Sequence, residues 1–487
     1  MRQRPWLVLF VFILFAFLLR WGTSFLSAIN HDESTYLVIA RELLYGKVYL
    51  RDIFDTKPIG VFWLYMALIK LTGGSIVAIR FVTHLSVAAT AWACWWAAGR
   101  ATAKPAVAWA AGLAYLFATS LYSDYGIGPN SELFFNALTA SAVAVAVAPR
   151  AGSPDSRHPR WTWPVAGLLL GCAVIIKPFA VAESLAIGLF LVWYYFLYRR
   201  EFGRGIGSGL LLLGAFGVPL LAVFGYYAAQ GLVDNLVFYN FTVNSRYPVA
   251  LAWYLRLKFL GDYLLRYAML TVPAGLVVYA ALRRGVNRPW TVFLCAYFAV
   301  VAIMILTPGH RFGYYQVQLH PALCLLAAGF LDPAVGVGAR IRGLLARRSA
   351  LAALGALAVA LGILHYVRYA NKPDRGRMLA TYFQDRLEPG EQFFSITSHQ
   401  ISYYLLGREV PTPFVHTALM FYPRYVAAYG IDEVRLAEEL LANPDLQYLV
   451  RHPGNPDFFT PLTDRLFREF TLVDSLDAEL YIYRRAD

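Results

Sequence analysis

Acidic residues are scarce in the first 370 positions, yet five of the thirteen there, Asp32, Glu33, Glu42, Asp52 and Asp55, fall inside one short loop. Lys57 closes the same stretch. Further polar residues recur between apolar runs. These are Asp124 and Glu132 in SDYGIGPNSELFF, Lys177 at a membrane hairpin, and His310, Arg311, Tyr314 and His320 in PGHRFGYYQVQLHPA. Charges beside hydrocarbon are costly unless they are used. A carboxylate can act on a nucleophilic hydroxyl, and clustered cations can hold an anion or stabilise one as it departs. Transfer of a group from a lipid phosphate needs both.

The elements that must position these residues are apolar. The chain is 59% hydrophobic and 15% charged. Runs able to cross a hydrocarbon core of about 30 Å as helices recur up to about residue 370. They lie near 6–27, 75–98, 105–122, 131–148, 163–178, 180–198, 206–228, 260–282, 289–307, 316–331 and 350–369. With the amino terminus inside, the basic groups Arg2/Arg4, Arg100/Lys104, Arg150/Arg157/Arg160, Arg199/Arg200/Arg204, Arg283/Arg284/Arg288 and Arg340/Arg342/Arg347/Arg348 all fall in cytoplasmic loops. That is the positive-inside pattern. It leaves 28–74, 123–130, 229–259 and 308–315 outside, together with the tail. The same loops hold most of the excess in the net charge of +13. Membrane topology and anionic headgroups explain such a distribution, and no recognition motif points to nucleic acid. The four cysteines all lie in apolar segments, with no zinc or disulfide spacing.

Within the first outer loop, Ser34 to Leu44 is patterned as a short amphipathic helix. Asp32 is placed to cap it and Glu33 to sit in its first turn. A second surface helix follows Pro58. The segment 229–259 is long, aromatic and basic, and is expected to act as a lid with Arg246 or Arg256 as an anion contact. Beyond residue 370, strand-like pieces (392–396, 446–450 and 479–483) alternate with a helical one at 431–441. Two regions follow: a membrane domain, 1–370, and an outward-facing α/β domain, 371–487. Each candidate also has a plainer reading. Asp32 and Glu33 can serve only as cap and dipole complement. Lys57 and Lys177 can snorkel to headgroups. Glu132 can cap its span, His310 and Arg311 can be rim charges, and His320 can be a packing residue. Tyr314 and Tyr315 suit an interfacial aromatic belt as well as a sugar platform.

The stretch HDESTY…GKVYLRDIFDTKPIGVFWLY resembles the first outer loop of the GT-C glycosyltransferases. The nearest branch is the bacterial relatives of protein O-mannosyltransferases and lipid A aminoarabinose transferases. The resemblance implies an α-helical multi-pass membrane protein of about eleven spans, with juxtamembrane helices and a small C-terminal α/β domain. It also implies transfer of a sugar, with inversion, from a polyprenyl-phosphate donor to an envelope glycan, lipid or protein. The setting would be the outer face of a bacterial cytoplasmic membrane. Asp32 then matches the carboxylate that acts on the acceptor, with Glu33 beside it. Lys57 and Lys177 match donor-phosphate contacts, Asp124 and Glu132 match acidic positions of the second outer loop, and His310 and Arg311 match the late outer loop of the donor pocket. Beside the resemblance, Arg246 and Arg311 are candidate phosphate contacts, and Asp55, Asp124, Glu132, His310 and Tyr314 candidate substrate contacts. The pattern departs at Pro58-Ile59, where the family usually has two prolines. Thr56 stands where aminoarabinose transferases carry a glutamate linked to metal. Aminoarabinose is therefore a poor candidate for the sugar, and a divalent metal is left open. The competing class is a secondary transporter or flippase for an anionic lipid-linked substrate, which would place its charges at mid-membrane within repeated halves. No internal repeat is visible.

Overall fold

The structure, a computed structural model, describes residues 4–147, 158–243, 245, 251–345, 347–396, 399–451, 460–477 and 480–486. The chain divides into two compact units. The first comprises Met1–Phe25, Val77–Val223 and Val249–Tyr369; the second comprises Leu26–Ile76, Phe224–Pro248 and Ala370–Asp487. Six helices among the described residues are long and apolar enough to cross a membrane: Pro5–Thr23, Ile76–Thr102, Pro178–Tyr198, Phe202–Ala229, Arg288–Leu306 and Ser349–Ala370. Trp253–Arg266 and Ala268–Arg284 make a seventh if counted as one span bent by 95°.

The first unit is helical throughout. Pro105–Leu121, Ser131–Ala146 and Thr162–Ile176 fall on expected spans but are shorter. The run expected at 316–331 resolves into a 3-10 segment, Gly313–Leu319, followed by a helix of nine residues, His320–Ala328. Pro321 is tolerated there because it occupies the first turn, where its missing N–H has no partner to lose. The unit's core is rich in alanine (Ala88, Ala91, Ala97, Ala111, Ala140, Ala144 and Ala322 are all buried), which lets helix backbones approach closely. The bend at Tyr267 is pinned by its hydroxyl, which donates to Ala118 O at 2.9 Å.

Arg20, at the end of the first helix, is fully buried. Its guanidinium donates to Thr119 O at 2.9 Å, Gly126 O at 2.7 Å and Ile127 O at 2.9 Å. One carbonyl in the last turn of Pro105–Leu121 and two in the turn before Ser131–Ala146 thus receive a donor that their own elements do not give them. Gly126 suits the turn: its φ is +123°, and a Cβ there would lie 2.8 Å from Thr119 O.

The second unit joins the first loop, the segment after Phe224 and the tail. His31–Leu44 and Ile59–Thr72 are its loop helices. The tail holds a four-stranded sheet of β1 (Gln392–Ser395), β2 (Leu446–Arg451), β3 (Phe470–Asp477) and β4 (Leu480–Arg485), in the order β1-β2-β4-β3. β1 and β2 are parallel and the other pairs antiparallel. Leu436 and Leu440, from helix Glu433–Ala442, pack with Phe394, Leu446 and Leu449 of the sheet. β3 did not stand out in the sequence for a physical reason. It is an edge strand with irregular register, and only Phe470 of FTLVDSLD is buried, so its alternation is lost.

Candidate active site

The first loop is ordered by its own charges and by the tail. Asn30, not Asp32, caps helix His31–Leu44: its side chain accepts from Glu33 N at 2.9 Å. Glu33 reaches back past the cap, its Oε2 accepting from Ile29 N at 2.7 Å. Asp32 is thereby released from capping and pairs with Lys57 Nζ at 3.2 Å. Both side chains retain some exposure, 11% for Asp32 and 19% for Lys57.

Lys57 is carried by a tight turn. Asp55 Oδ1 accepts from Lys57 N at 3.1 Å, and the buried Tyr49 hydroxyl donates to Asp55 O and Lys57 O. Asp55 is itself buried, and its Oδ2 has no hydrogen-bond partner among the described residues. Asp52 accepts from Val48 N at 2.7 Å and pairs with Arg51 on the surface. Glu42 is wholly buried between Arg41 and Lys47, at 3.1 and 2.5 Å. Burial alone would lower the ammonium of Lys47, but Glu42 and Glu409 more than reverse this and hold it above the ordinary lysine value. The five acids of the loop are therefore not equivalent. Four have structural tasks in caps, turns and local ion pairs, and Asp32 is the one paired with Lys57.

The tail supports this arrangement. Arg41 donates to Tyr403 O and Arg408 O, while Gln400 Nε2 donates to Thr35 Oγ1 at 3.1 Å. His416 stacks on His31 with ring centroids 5.9 Å apart. Burial pushes the His416 imidazole below the ordinary histidine range; Asp55 and Asp32 oppose this and Lys57 adds to it. Asn235 Nδ2 donates to Leu50 O at 2.6 Å, and Phe54 packs on Tyr239 and Phe414. Residues 233–243 of the expected lid thus rest on the first loop and tail. Arg246 lies outside the described residues, whereas Arg256 donates to Leu251 O, Leu306 O and Thr307 O and is spent on backbone.

Another carboxylate–lysine pair lies in the first unit. Lys177 follows the last turn of Thr162–Ile176 with extended backbone, because Pro178 disfavours a helical residue before it. Its ammonium pairs with Glu132, in the first turn of Ser131–Ala146, and both side chains are almost wholly buried. Tyr315 presents its ring 4.0 Å from the Lys177 nitrogen, and Tyr314 and Phe179 lie at 5.4 and 5.6 Å. Asp124 is exposed, but its backbone abuts Gly313, where a Cβ would lie 3.0 Å from Asp124 O. His310 stacks on Phe312 at 5.5 Å, and Arg311 is exposed next to it. His320 is a buried packing residue, stacked on Tyr263 at 5.8 Å.

Composition hid several residues that matter. His416 and Gln400 sit in an unremarkable tail, and nothing local links them to the first loop. Arg20 and Glu183 carried a usable signal, since each is an ionisable residue within an apolar run. Among the described residues no three His, Cys, Asp or Glu side chains gather as a metal site would require.

A family model described as dolichyl-phosphate-mannose-protein mannosyltransferase matches residues 56–226. That range contains Lys57, Asp124, Glu132 and Lys177. No curated protein matches. Among solved structures, ArnT from Cupriavidus metallidurans bound to undecaprenyl phosphate is 16% identical, with a TM-score of 0.69 over 98% of this chain and 97% of that one. The oligosaccharyltransferase AglB from Archaeoglobus fulgidus, in complex with an inhibitory peptide and a dolichol-phosphate, is 14% identical, with a TM-score of 0.55 over 92% of this chain and 69% of that one. At these identities the likeness establishes the fold alone: a many-helix architecture shared with ArnT, with a small four-stranded sheet in the tail.

Proposed function

We propose that this chain is a membrane glycosyltransferase that moves a sugar from a polyprenyl-phosphate donor to a hydroxyl of a cell-envelope glycan, lipid or protein. Its chemistry would take place on the outer face of a bacterial cytoplasmic membrane, the side on which the positive-inside pattern leaves the first loop and tail. The observation that carries the reading is the Asp32–Lys57 pair: a carboxylate released from capping and held 3.2 Å from a cation on a braced turn. The matched family model, and neighbours whose structures hold undecaprenyl phosphate or dolichol-phosphate, support a lipid-phosphate donor.

The acceptor oxygen attacks the anomeric carbon, and Asp32 receives its proton. The bond from that carbon to the phosphate oxygen breaks, and its electron pair leaves with the polyprenyl phosphate. Attack from the face opposite the leaving group inverts the anomeric centre. Lys57 neutralises charge growing on the departing phosphate, a role that a cation fixed in advance performs without reorganisation. Lys177, held among aromatic rings, is assigned the donor phosphate as well, and Arg311 and Arg246 supply further positive charge. Glu33 braces the helix that carries Asp32. Asp55 braces Lys57, while Asp124, Glu132, His310 and Tyr314 border the substrates.

The test is transfer from radiolabelled polyprenyl-phosphate sugars to candidate acceptors by the purified full chain. Asp32→Asn is expected to lower turnover by about 10²-fold or more, the scale of lost acid–base catalysis. Undiminished transfer by Asp32→Asn would remove Asp32 from the mechanism. Movement of the intact lipid-linked sugar without transfer would replace the reading with transport.

A further inference from the structure

The span Pro178–Tyr198 carries a carboxyl, Glu183, to which no role has yet been given. It is fully buried, as is Gln318 apart from 1% of its surface. Glu183 Oε2 accepts from Gln318 Nε2 at 2.7 Å, and Oε1 has no hydrogen-bond partner among the described residues. The same Gln318 nitrogen donates to Phe179 O at 2.9 Å. That nitrogen has two hydrogens, so both acceptors can be served at once.

Each end of this link belongs to one half of the Lys177 nest. Phe179 lies two residues after Lys177, in a turn closed by Ala180 N donating to Lys177 O at 3.0 Å. Gln318 belongs to Gly313–Leu319, the segment that brings Tyr314 and Tyr315 against the ammonium. Phe179 also meets Tyr315 edge to face at 5.2 Å. One amide therefore ties the turn bearing the cation to the segment bearing its aromatic wall, and Glu183 fixes that amide. Glu183 also stands in the first turn of Val181–Val192, where a carboxylate complements the helix dipole. Dipole complementation needs neither complete burial nor a side-chain partner from another element. A buried polar group is costly unless it is hydrogen-bonded, so the Gln318 amide needs an acceptor here.

We infer that Glu183, acting through Gln318, is a positioning residue that sets the Lys177 ammonium for the donor phosphate. This rests on the assignment of Lys177 to that phosphate. The experiment measures donor KM and kcat for the full-length protein, using one polyprenyl-phosphate sugar as the probe. The variants are Lys177→Met, Glu183→Ala, Glu183→Gln, Gln318→Met and the double Lys177→Met/Glu183→Ala.

Glu183→Ala should raise donor KM about tenfold while kcat falls much less, as for loss of ground-state binding. Glu183→Gln should restore a near wild-type KM, because the amide oxygen still accepts from Gln318. Gln318→Met should reproduce the alanine effect, and the double variant should be no worse than Lys177→Met alone. If Lys177→Met raises KM and neither Glu183→Ala nor Gln318→Met does, the inference is overturned and the lysine assignment stands. An unchanged KM in Lys177→Met overturns that assignment, and the inference with it. Should Glu183→Ala fail to fold, Gln318→Met and Glu183→Gln decide. A wild-type KM in the first, or alanine-like impairment in the second, refutes the positioning role.

Discussion

Two of the carboxylate–lysine pairs among the described residues, Asp32–Lys57 and Glu132–Lys177, are built on different physics. Asp32–Lys57 joins a helix start to a turn, keeps some exposure, and has its geometry fixed from behind by backbone hydrogen bonds around Asn30, Glu33, Asp55 and Tyr49. Glu132–Lys177 joins two helical spans, is almost dry, and is fixed by aromatic rings and by the Gln318 link. A pair that keeps some exposure can open for a substrate at lower cost, because water can reach the partner left behind. A buried pair cannot, since each charge left alone bears its full desolvation penalty. The first pair is therefore suited to exchange partners during a reaction, and the second to hold a cation in one place.

That contrast can be broken experimentally, beginning with the largest expected effect. Glu132→Gln leaves the Lys177 ammonium buried without its counter-charge, and should lower unfolding stability in detergent by about 3–5 kcal/mol. A loss below about 1 kcal/mol, read from thermal or denaturant unfolding, would mean that the second pair is as solvated as the first. Lys57→Met should lower stability less, by about 1–2 kcal/mol, between the ranges for exposed and buried pairs, while strongly impairing transfer. Comparable losses of stability in the two variants would erase the distinction.

The smallest effect concerns pH. The His416 imidazole is held below the ordinary histidine value chiefly by burial, so the unfolded chain takes up its proton first as pH falls. Its contribution to stability is complete above the unfolded value, near 6.5, and is lost as pH drops through the lower folded value. The melting temperature should decline from pH 7 toward pH 5, and His416→Gln should flatten that decline. An identical slope in wild type and variant would show that His416 does not sense pH.

Much of the scaffold could be read from local chemistry. Every expected span falls on helical structure, although three are shorter and the last but one is half 3-10. The helices in the first loop, the strands near 392, 446 and 480, and helix Glu433–Ala442 were visible in period and turn residues. The edge strand β3 was not, because one solvated strand carries no alternation. The site was legible only as a set of residue types. The sequence places Asp32 to cap the helix, yet the cap is Asn30, two residues earlier, and that shift in the helix start changes the carboxylate's task.

By itself the sequence determined the long apolar helices, the basic residues in the loops between them, and the concentration of acids and Lys57 in one loop. These follow from composition and from periods of a few residues, which local physics sets. Only the tertiary structure decided which acids are spent and which remains. Glu42 is consumed by Arg41 and Lys47, and Arg41 reaches carbonyls of Tyr403 and Arg408 some 360 residues away. Likewise Glu183 meets Gln318 across 135 positions. A hydrogen bond is decided by a few tenths of an ångström between groups that nothing in the chain's local pattern relates, so the task of each charge appears only once the chain has folded.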